Sequence, residues 1–85
     1  MWRVYVHRGV RKFERRHPRY KHVVARAIEA LSRDPYQGER LAGRCRGLWK
    51  LRLGELRVIY RVDPARREVY VLRVGLRESV YEGLC

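Results

Sequence analysis

Hydrophobic and polar residues alternate along residues 48–63, LWKLRLGELRVIYRVD. This alternation predicts two β-strands joined at Gly54-Glu55, a glycine-first pair suited to a two-residue type II′ turn. Closing the hairpin there places apolar residues opposite one another on one face, and Arg52 opposite Arg57 on the other. The apolar pairs are Leu53–Leu56, Leu51–Val58 and Trp49–Tyr60. A shift of one residue would set leucines against arginines on both faces, so the pattern determines the register.

The rest of the chain predicts helices before this hairpin and a strand after it. Residues 1–7 alternate as a first strand, and residues 10–16 and 18–33 follow as helices that are separated at a proline. The second helix carries a single apolar stripe, formed by Tyr20, Val24, Ala27, Ile28 and Leu31. Residues 68–74 are almost continuously apolar, which is typical of an interior strand.

The order of these elements, β-α-α-β-β-β, predicts one α+β domain over residues 1–85. We expect a mainly antiparallel sheet with the two N-terminal helices packed on one face, and an exposed, cationic second face. Residues 36–47 are predicted to be a connector. Residues 76–84 are predicted to form either a last strand or one helical turn.

The charge of the chain points to a polyanionic partner. Its 21 Lys and Arg residues outnumber 9 Asp and Glu residues, giving a formal net charge of +12. Nucleic acid or the ribosome is favoured over a membrane, because the basic residues are spread over every element rather than gathered on one amphipathic helix. Such a basic protein can also need an acidic protein partner. No signal peptide or membrane span is recognisable, so a cytoplasmic protein is expected.

The two cysteines, Cys45 and Cys85, have neither a CxxC spacing nor companion histidines, so no metal site is predicted. We expect free thiols, and a bridge between the C-terminus and the middle connector stays open because pairing cannot be deduced from sequence. The chain has no Asn, no Thr and one Gln. This composition fits a thermophile or a GC-rich genome.

The face of the hairpin that carries Arg52 and Arg57 is the main functional clue. Like charges directly opposite each other on two strands are destabilising. At roughly 5 Å their repulsion is about 3 kcal/mol for an effective dielectric constant near 20. With Lys50 and Arg61 close by, this face favours an anion-binding site over arginines that simply extend into water.

An ordered set of residues along the chain resembles the RelE/ParE toxin superfamily of type II toxin–antitoxin systems, most closely its RelE mRNA-interferase branch. The set begins at Asp34-Pro35, continues through 41–43 (LAG), 49–54 (WKLRLG) and 56–60 (LRVIY), and ends with 74–77 (VGLR) and Val80-Tyr81. The resemblance extends over nearly the whole chain. It implies a RelE-like fold for residues 1–85.

The resemblance implies ribosome-dependent cleavage of mRNA in the decoding A site, by attack of a ribose 2′-OH on the adjacent phosphate. It needs no metal or other cofactor. The implied catalytic residues are Lys50, Arg52, Arg57, Arg77 and Tyr81. We add Arg61, Arg11 and Arg15 as RNA-binding residues that position phosphates. The implied partner is a cognate antitoxin, acidic in character, which covers the basic face in a hetero-oligomeric complex.

The chemistry assigns different tasks to these side chains. Arginine stays charged and binds phosphate oxygens through its planar fork, which suits Arg57 and Arg77, with Arg52 in support. The general base is left open between Lys50 and Tyr81, and Tyr81 can equally pack on the sheet or stack on a base. Trp49 and Tyr60 are predicted to be core residues.

Two positions depart from the pattern of relatives. Many relatives carry His before the final arginine, where this chain has Leu76, so a histidine acid or base is excluded at that place. A strand lysine of relatives is Arg52 here. Of the histidines in this chain, only His7 is expected to come near the site.

Two alternatives to the nuclease stay open. One is a ParE-like protein of the same fold that inhibits DNA gyrase, and the other is a non-catalytic RNA-binding domain.

Overall fold

Five strands form one mixed sheet in the computed structural model, which describes residues 1–85. The strands are β1 (Arg3–Val6), β2 (Glu39–Arg40), β3 (Trp49–Leu53), β4 (Leu56–Asp63) and β5 (Glu68–Gly75), and the helices are α1 (Arg8–Arg16) and α2 (Lys21–Arg33). The spatial order is β1-β5-β4-β3-β2, with β1 parallel to β5 and every other pair antiparallel. The α+β prediction with a mainly antiparallel sheet is therefore confirmed. Strand β2 was not predicted, and residues 78–81 form a 3₁₀ turn, one helical turn rather than a strand.

The central hairpin has the register that its alternation predicts. Arg52 lies opposite Arg57, and the three apolar pairs face each other as expected. Gly54 has a φ of +59° while Glu55 does not adopt a positive φ, which is the combination required by a type II′ turn.

The helices cover one face of the sheet, here called the helix face, and form the hydrophobic core with it. The core includes Leu31 from α2 and Val58 and Tyr60 from β4, all with at most 1% of their surface exposed. The Tyr60 hydroxyl donates to the Pro35 carbonyl at 2.7 Å, and burial raises the pKa of Tyr60 to about 12. Trp49 packs against this core, so both aromatic residues are on the face predicted for them.

The opposite surface, here called the outer face, is partly covered by residues 77–85, the C-terminal tail. Ile59, which alternates with the core residues of β4, is fully buried on this face. The turn in the tail contacts β4 and β5, and an added Cβ at Gly75 would lie only 3.0 Å from Cγ2 of Val80. Arg73 donates to the carbonyl oxygens of Val80 and Glu82. The prediction of an exposed outer face is wrong for the part of it that the end of the chain covers.

A disulfide bond joins the end of the tail to the loop between β2 and β3. It links Cys45 and Cys85, whose Cα atoms are 5.1 Å apart. The expectation of free thiols is therefore wrong. The two cysteines are 40 residues apart in sequence, and only the fold of the tail across the sheet brings them together.

Candidate functional site

The hairpin end of the outer face carries the cations that the sequence selected. Arg52 and Arg57 are direct cross-strand neighbours. Lys50 lies two residues before Arg52 on the same strand and therefore on the same face. Arg52 and Arg57 have no carboxylate within 4.0 Å, since the ion pairs of the chain are Arg11–Glu14, Arg33–Glu29 and Lys50–Glu39. Their positive charge is left without an internal counter-ion.

Arg57 connects the sheet to the start of the tail. Its Nη1 donates to the Leu76 carbonyl at 2.8 Å, and the residue opposite it on β5 is Gly75. The half-buried guanidinium group is thus fixed beside the peptide that leads into Arg77. By contrast, Arg52 is exposed and makes only a long contact of 3.3 Å with the Gly54 carbonyl.

Lys50 has a partner that sequence reasoning did not foresee. Its Nζ lies 3.4 Å from Oε1 of Glu39, which is opposite Lys50 in the pairing of β2 with β3. The lysine side chain is 21% exposed and the glutamate side chain 73% exposed. Lys50 therefore has a counter-ion within the protein, which Arg52 and Arg57 lack.

Arg77 and Tyr81 both belong to the tail. Arg77 is exposed and directly precedes the 3₁₀ turn, whereas Tyr81 is half-buried at the end of that turn. Arg77 lines a cleft of about 390 Å³ between α1 and the tail, here called the α1–tail cleft. The other lining residues are Phe13, His17, Val74, Gly75, Leu76, Ser79 and Val80.

The α1–tail cleft brings a histidine to Arg77 that the sequence did not indicate. His17, rather than His7, lines a cleft with a predicted site residue, so the expectation that only His7 would come near the site is wrong. His7 caps α1, with its Nδ1 accepting from the Gly9 N–H at 3.0 Å. No sequence signal could have identified His17, because the end of α1 and the end of β5 meet only in the folded chain.

Arg61 lies at a separate part of the outer face, where two tyrosines accompany it. Its guanidinium carbon is 4.6 Å from the ring centre of Tyr70, and the Tyr70 ring is stacked on Tyr5 at 5.5 Å. The Tyr70 hydroxyl donates to Glu68, which raises the pKa of Tyr70. Strand alternation could have placed both tyrosines on this face, since each lies between inward-facing valines.

Arg11 and Arg15 are on helix α1 and do not join the outer-face group. They surround the buried Glu14 together with Lys21, and Nη1 of Arg11 is 2.8 Å from Oε1 of Glu14. The predicted site residues therefore form three groups, at the hairpin end with the adjoining tail, around Arg61, and on α1.

No three His, Cys, Asp or Glu side chains lie close enough together to hold a metal ion. Neither helix has the length and apolar character needed to cross a lipid bilayer.

Comparison with known proteins identifies the family. Residues 5–81 match the family model of the ParE toxin of the type II toxin–antitoxin system parDE. A chain of the RelBE2 toxin–antitoxin complex from Mycobacterium tuberculosis has a similar structure, with a TM-score of 0.81, 29% identity, and coverage of 89% of this chain and 98% of that one. The YoeB/ParE toxin from Agrobacterium tumefaciens shares the fold, with a TM-score of 0.73, 23% identity, and coverage of 88% and 98%. No curated protein sequence matches the chain.

The family model covers most of the chain, and the similar structures carry the same arrangement of helices and sheet. The predicted resemblance to the RelE/ParE superfamily and the RelE-like fold are therefore confirmed. The chain belongs to the ParE toxin family, in the RelE/ParE superfamily of type II toxin–antitoxin toxins.

Proposed function

We propose that this toxin is a ribosome-dependent endoribonuclease that cleaves mRNA in the A site. The observation that carries the proposal is the cross-strand pair of Arg52 and Arg57, which has no carboxylate partner and lies beside the peptide leading into Arg77. Three guanidinium groups near one end of a sheet suit a phosphate group whose charge grows during the reaction.

The proposed reaction needs stabilisation of a phosphorane and transfer of two protons. Attack of the 2′-oxygen on phosphorus gives a 2′,3′-cyclic phosphate and releases a 5′-OH. Arg57 and Arg77 would bind the non-bridging oxygens, with Arg52 in support, since arginine remains charged throughout. Lys50 and Tyr81 are the candidates for removal of the 2′-OH proton. Lys50 would act beside Glu39, and Tyr81 would act from the tail.

The proposed partners follow from charge and from the similar structures. One of those structures is a toxin–antitoxin complex, and an acidic antitoxin would complement the net charge of +12. Such a complex would be hetero-oligomeric. Action on translating ribosomes would place the protein in the cytoplasm. Disulfides are rare there, with intracellular proteins of hyperthermophiles as the exception. The Cys45–Cys85 bond therefore agrees best with a thermophilic source.

A second candidate function is inhibition of DNA gyrase without cleavage of RNA. It is favoured by the matching family model, which describes the ParE toxin of parDE systems. In this case the cations on the outer face would contact an acidic surface of the gyrase complex, and loss of one guanidinium group would weaken binding rather than a chemical step.

Translation of a reporter mRNA in a purified system, followed by mapping of new 5′ ends, tests the two candidates. If the protein is a nuclease, new 5′-OH ends should appear at codon-spaced positions, and only when ribosomes are present. We expect Arg57→Ala and Arg77→Ala to slow the cleavage step by roughly 10²–10³-fold each, the usual cost of losing one donor to a developing charge. Arg26→Ala, which removes an exposed arginine on α2, serves as the matched control and should cleave normally. Intact message together with loss of gyrase supercoiling would reject the nuclease.

A further inference from the structure

His17 has a conformation that leaves its imidazole free to act in the α1–tail cleft. It is the C-terminal cap of α1, where its backbone N–H donates to the Phe13 carbonyl at 2.8 Å and its own carbonyl accepts from the Tyr20 N–H at 2.9 Å. The ring packs on Phe13 with ring centres 4.6 Å apart. Within the protein the ring nitrogens make neither a hydrogen bond nor an ion pair. The ring is thus held in position while both nitrogens stay available.

The cleft places this imidazole near Arg77, one of the proposed phosphate-binding arginines. His17 and Arg77 line the same cavity of about 390 Å³, with the Ser79 side chain. The peptide before Arg77 accepts the hydrogen bond from Arg57. A phosphodiester bound by Arg77 would therefore lie at the same cavity that His17 borders.

The other polar groups near the cleft are poor proton donors for a leaving alkoxide. Arginine holds its protons too firmly, and a serine hydroxyl is a weak acid. Imidazole is the side chain best suited to give up a proton near neutral pH. His17 is the only imidazole that lines this cleft.

We propose that His17 is the general acid that protonates the 5′-oxygen during RNA cleavage. This inference rests on the proposed nuclease function. As the 2′-oxygen bonds to phosphorus, its proton passes to the general base, and the P–O5′ bond breaks. The electron pair of that bond stays on O5′, which takes a proton from the His17 imidazolium group. The products are the 2′,3′-cyclic phosphate and the 5′-OH, and His17 regains its proton from water.

A short mRNA with sulfur in place of the scissile 5′-oxygen tests this role, since a thiolate leaves without a proton. Single-turnover cleavage on ribosomes is measured for the native and the 5′-thio message. We expect His17→Gln to slow cleavage of the native message by roughly 10²–10⁴-fold, the usual contribution of a general acid, and to cleave the 5′-thio message within about threefold of wild type. His22→Gln, which changes an exposed histidine on α2, is the matched control and should leave both rates unchanged. Arg77→Ala should slow both messages, because it acts on the phosphate.

A wild-type pH profile gives a second readout that does not depend on the folding of a variant. The rates with the native and the 5′-thio message should depend differently on pH, because only the native message needs a proton on its leaving oxygen. If His17→Gln lost the same fraction of its cleavage rate with both messages, or lost none with either, the proposed role of His17 would be overturned. The nuclease proposal would still stand. Failure of the wild-type protein to cleave the native message would overturn the nuclease proposal, and this inference with it.

Discussion

The two faces of the sheet are built on different principles. Two helices cover the helix face. Its core consists of aliphatic side chains and Tyr60, which have at most a few per cent of their surface exposed. The outer face carries Lys50, Arg52, Arg57 and Arg61 and is covered only in part, by a tail held through Arg73 and a disulfide bond.

Under the proposed function, the difference separates stability from function within one small sheet. Burial of apolar surface stabilises the helix face whatever the ligand. On the outer face, like charges are held opposite each other, an arrangement that an anionic partner stabilises. The four predictions that follow test this separation, from the largest expected effect to the smallest.

Removal of the disulfide should have the largest effect. We expect Cys45→Ser combined with Cys85→Ser to lower the free energy of unfolding by about 4 kcal/mol, the loop-entropy value for a closed loop of this length. Urea titrations with and without dithiothreitol measure this change. The wild type should shift with the reductant and the double variant should not. An unchanged wild-type midpoint in the reductant would show that the tail does not depend on the bond.

Truncation of one buried side chain on each face should show whether the tail makes a second core. Leu31→Ala on the helix face and Ile59→Ala on the outer face should each cost about 3 kcal/mol, since both side chains are fully buried. Repeating the urea titrations of both variants in dithiothreitol separates the contributions of the two faces to stability. The cost of Ile59→Ala should then shrink while that of Leu31→Ala persists, and equal costs in both conditions would contradict the role of the tethered tail.

Alkaline pH should lower the stability of the fold more through the buried Tyr60 than through Tyr70, whose hydroxyl is bonded to Glu68. The fold holds Tyr60 in its neutral form, with a pKa raised to about 12 from 10.0. The associated stability is therefore complete below pH 10 and is lost as the pH rises towards 12, by roughly 2–3 kcal/mol. Tyr60→Phe should lack this loss, so its deficit relative to wild type should narrow between pH 9 and 11.5. Tyr70→Phe on the outer face should show a smaller change of the same sign, because the pKa of Tyr70 is raised mainly by its bond to Glu68 and less by burial. If the free energies of unfolding of Tyr60→Phe and wild type changed in parallel with pH, the raised pKa of Tyr60 would be contradicted.

Reversal of one charge in the cross-strand pair should have the smallest effect. Arg52→Glu replaces repulsion with attraction opposite Arg57, and we expect a gain of up to about 1 kcal/mol in low salt. The gain should fall in 1 M salt, where the Debye length is about 3 Å. Arg52→Gln removes the charge without reversing it, so its stability should lie between those of wild type and Arg52→Glu. A loss of stability in Arg52→Glu would mean that Arg52 serves the fold.

The sequence predicts the helix face and the hairpin well because both depend on local periodicity. A repeat of two residues determines which side chains share a face, and Gly54 allows one turn geometry. The apolar stripe of α2 likewise identifies its buried side, including Val24, Ala27 and Leu31.

What covers the outer face could not be predicted, because its contacts join distant parts of the chain. Strand β2 has only two residues, so it shows no periodicity that could be detected. Without β2 the contact between Lys50 and Glu39 cannot be predicted. Cysteine pairing has no local signature either. His17 and Arg77 meet only where the end of α1 approaches the end of β5.

The Cys45–Cys85 bond turns the second half of the chain into a covalent ring that contains β3, β4 and β5. The exposed turn at residues 64–67 lies inside this ring. A single proteolytic nick there would leave β5 and the tail attached to the remainder, so the nicked protein would run as one band on a non-reducing gel and as two bands after reduction. A toxin cut once at this turn would keep all its parts joined for as long as its surroundings stay oxidising.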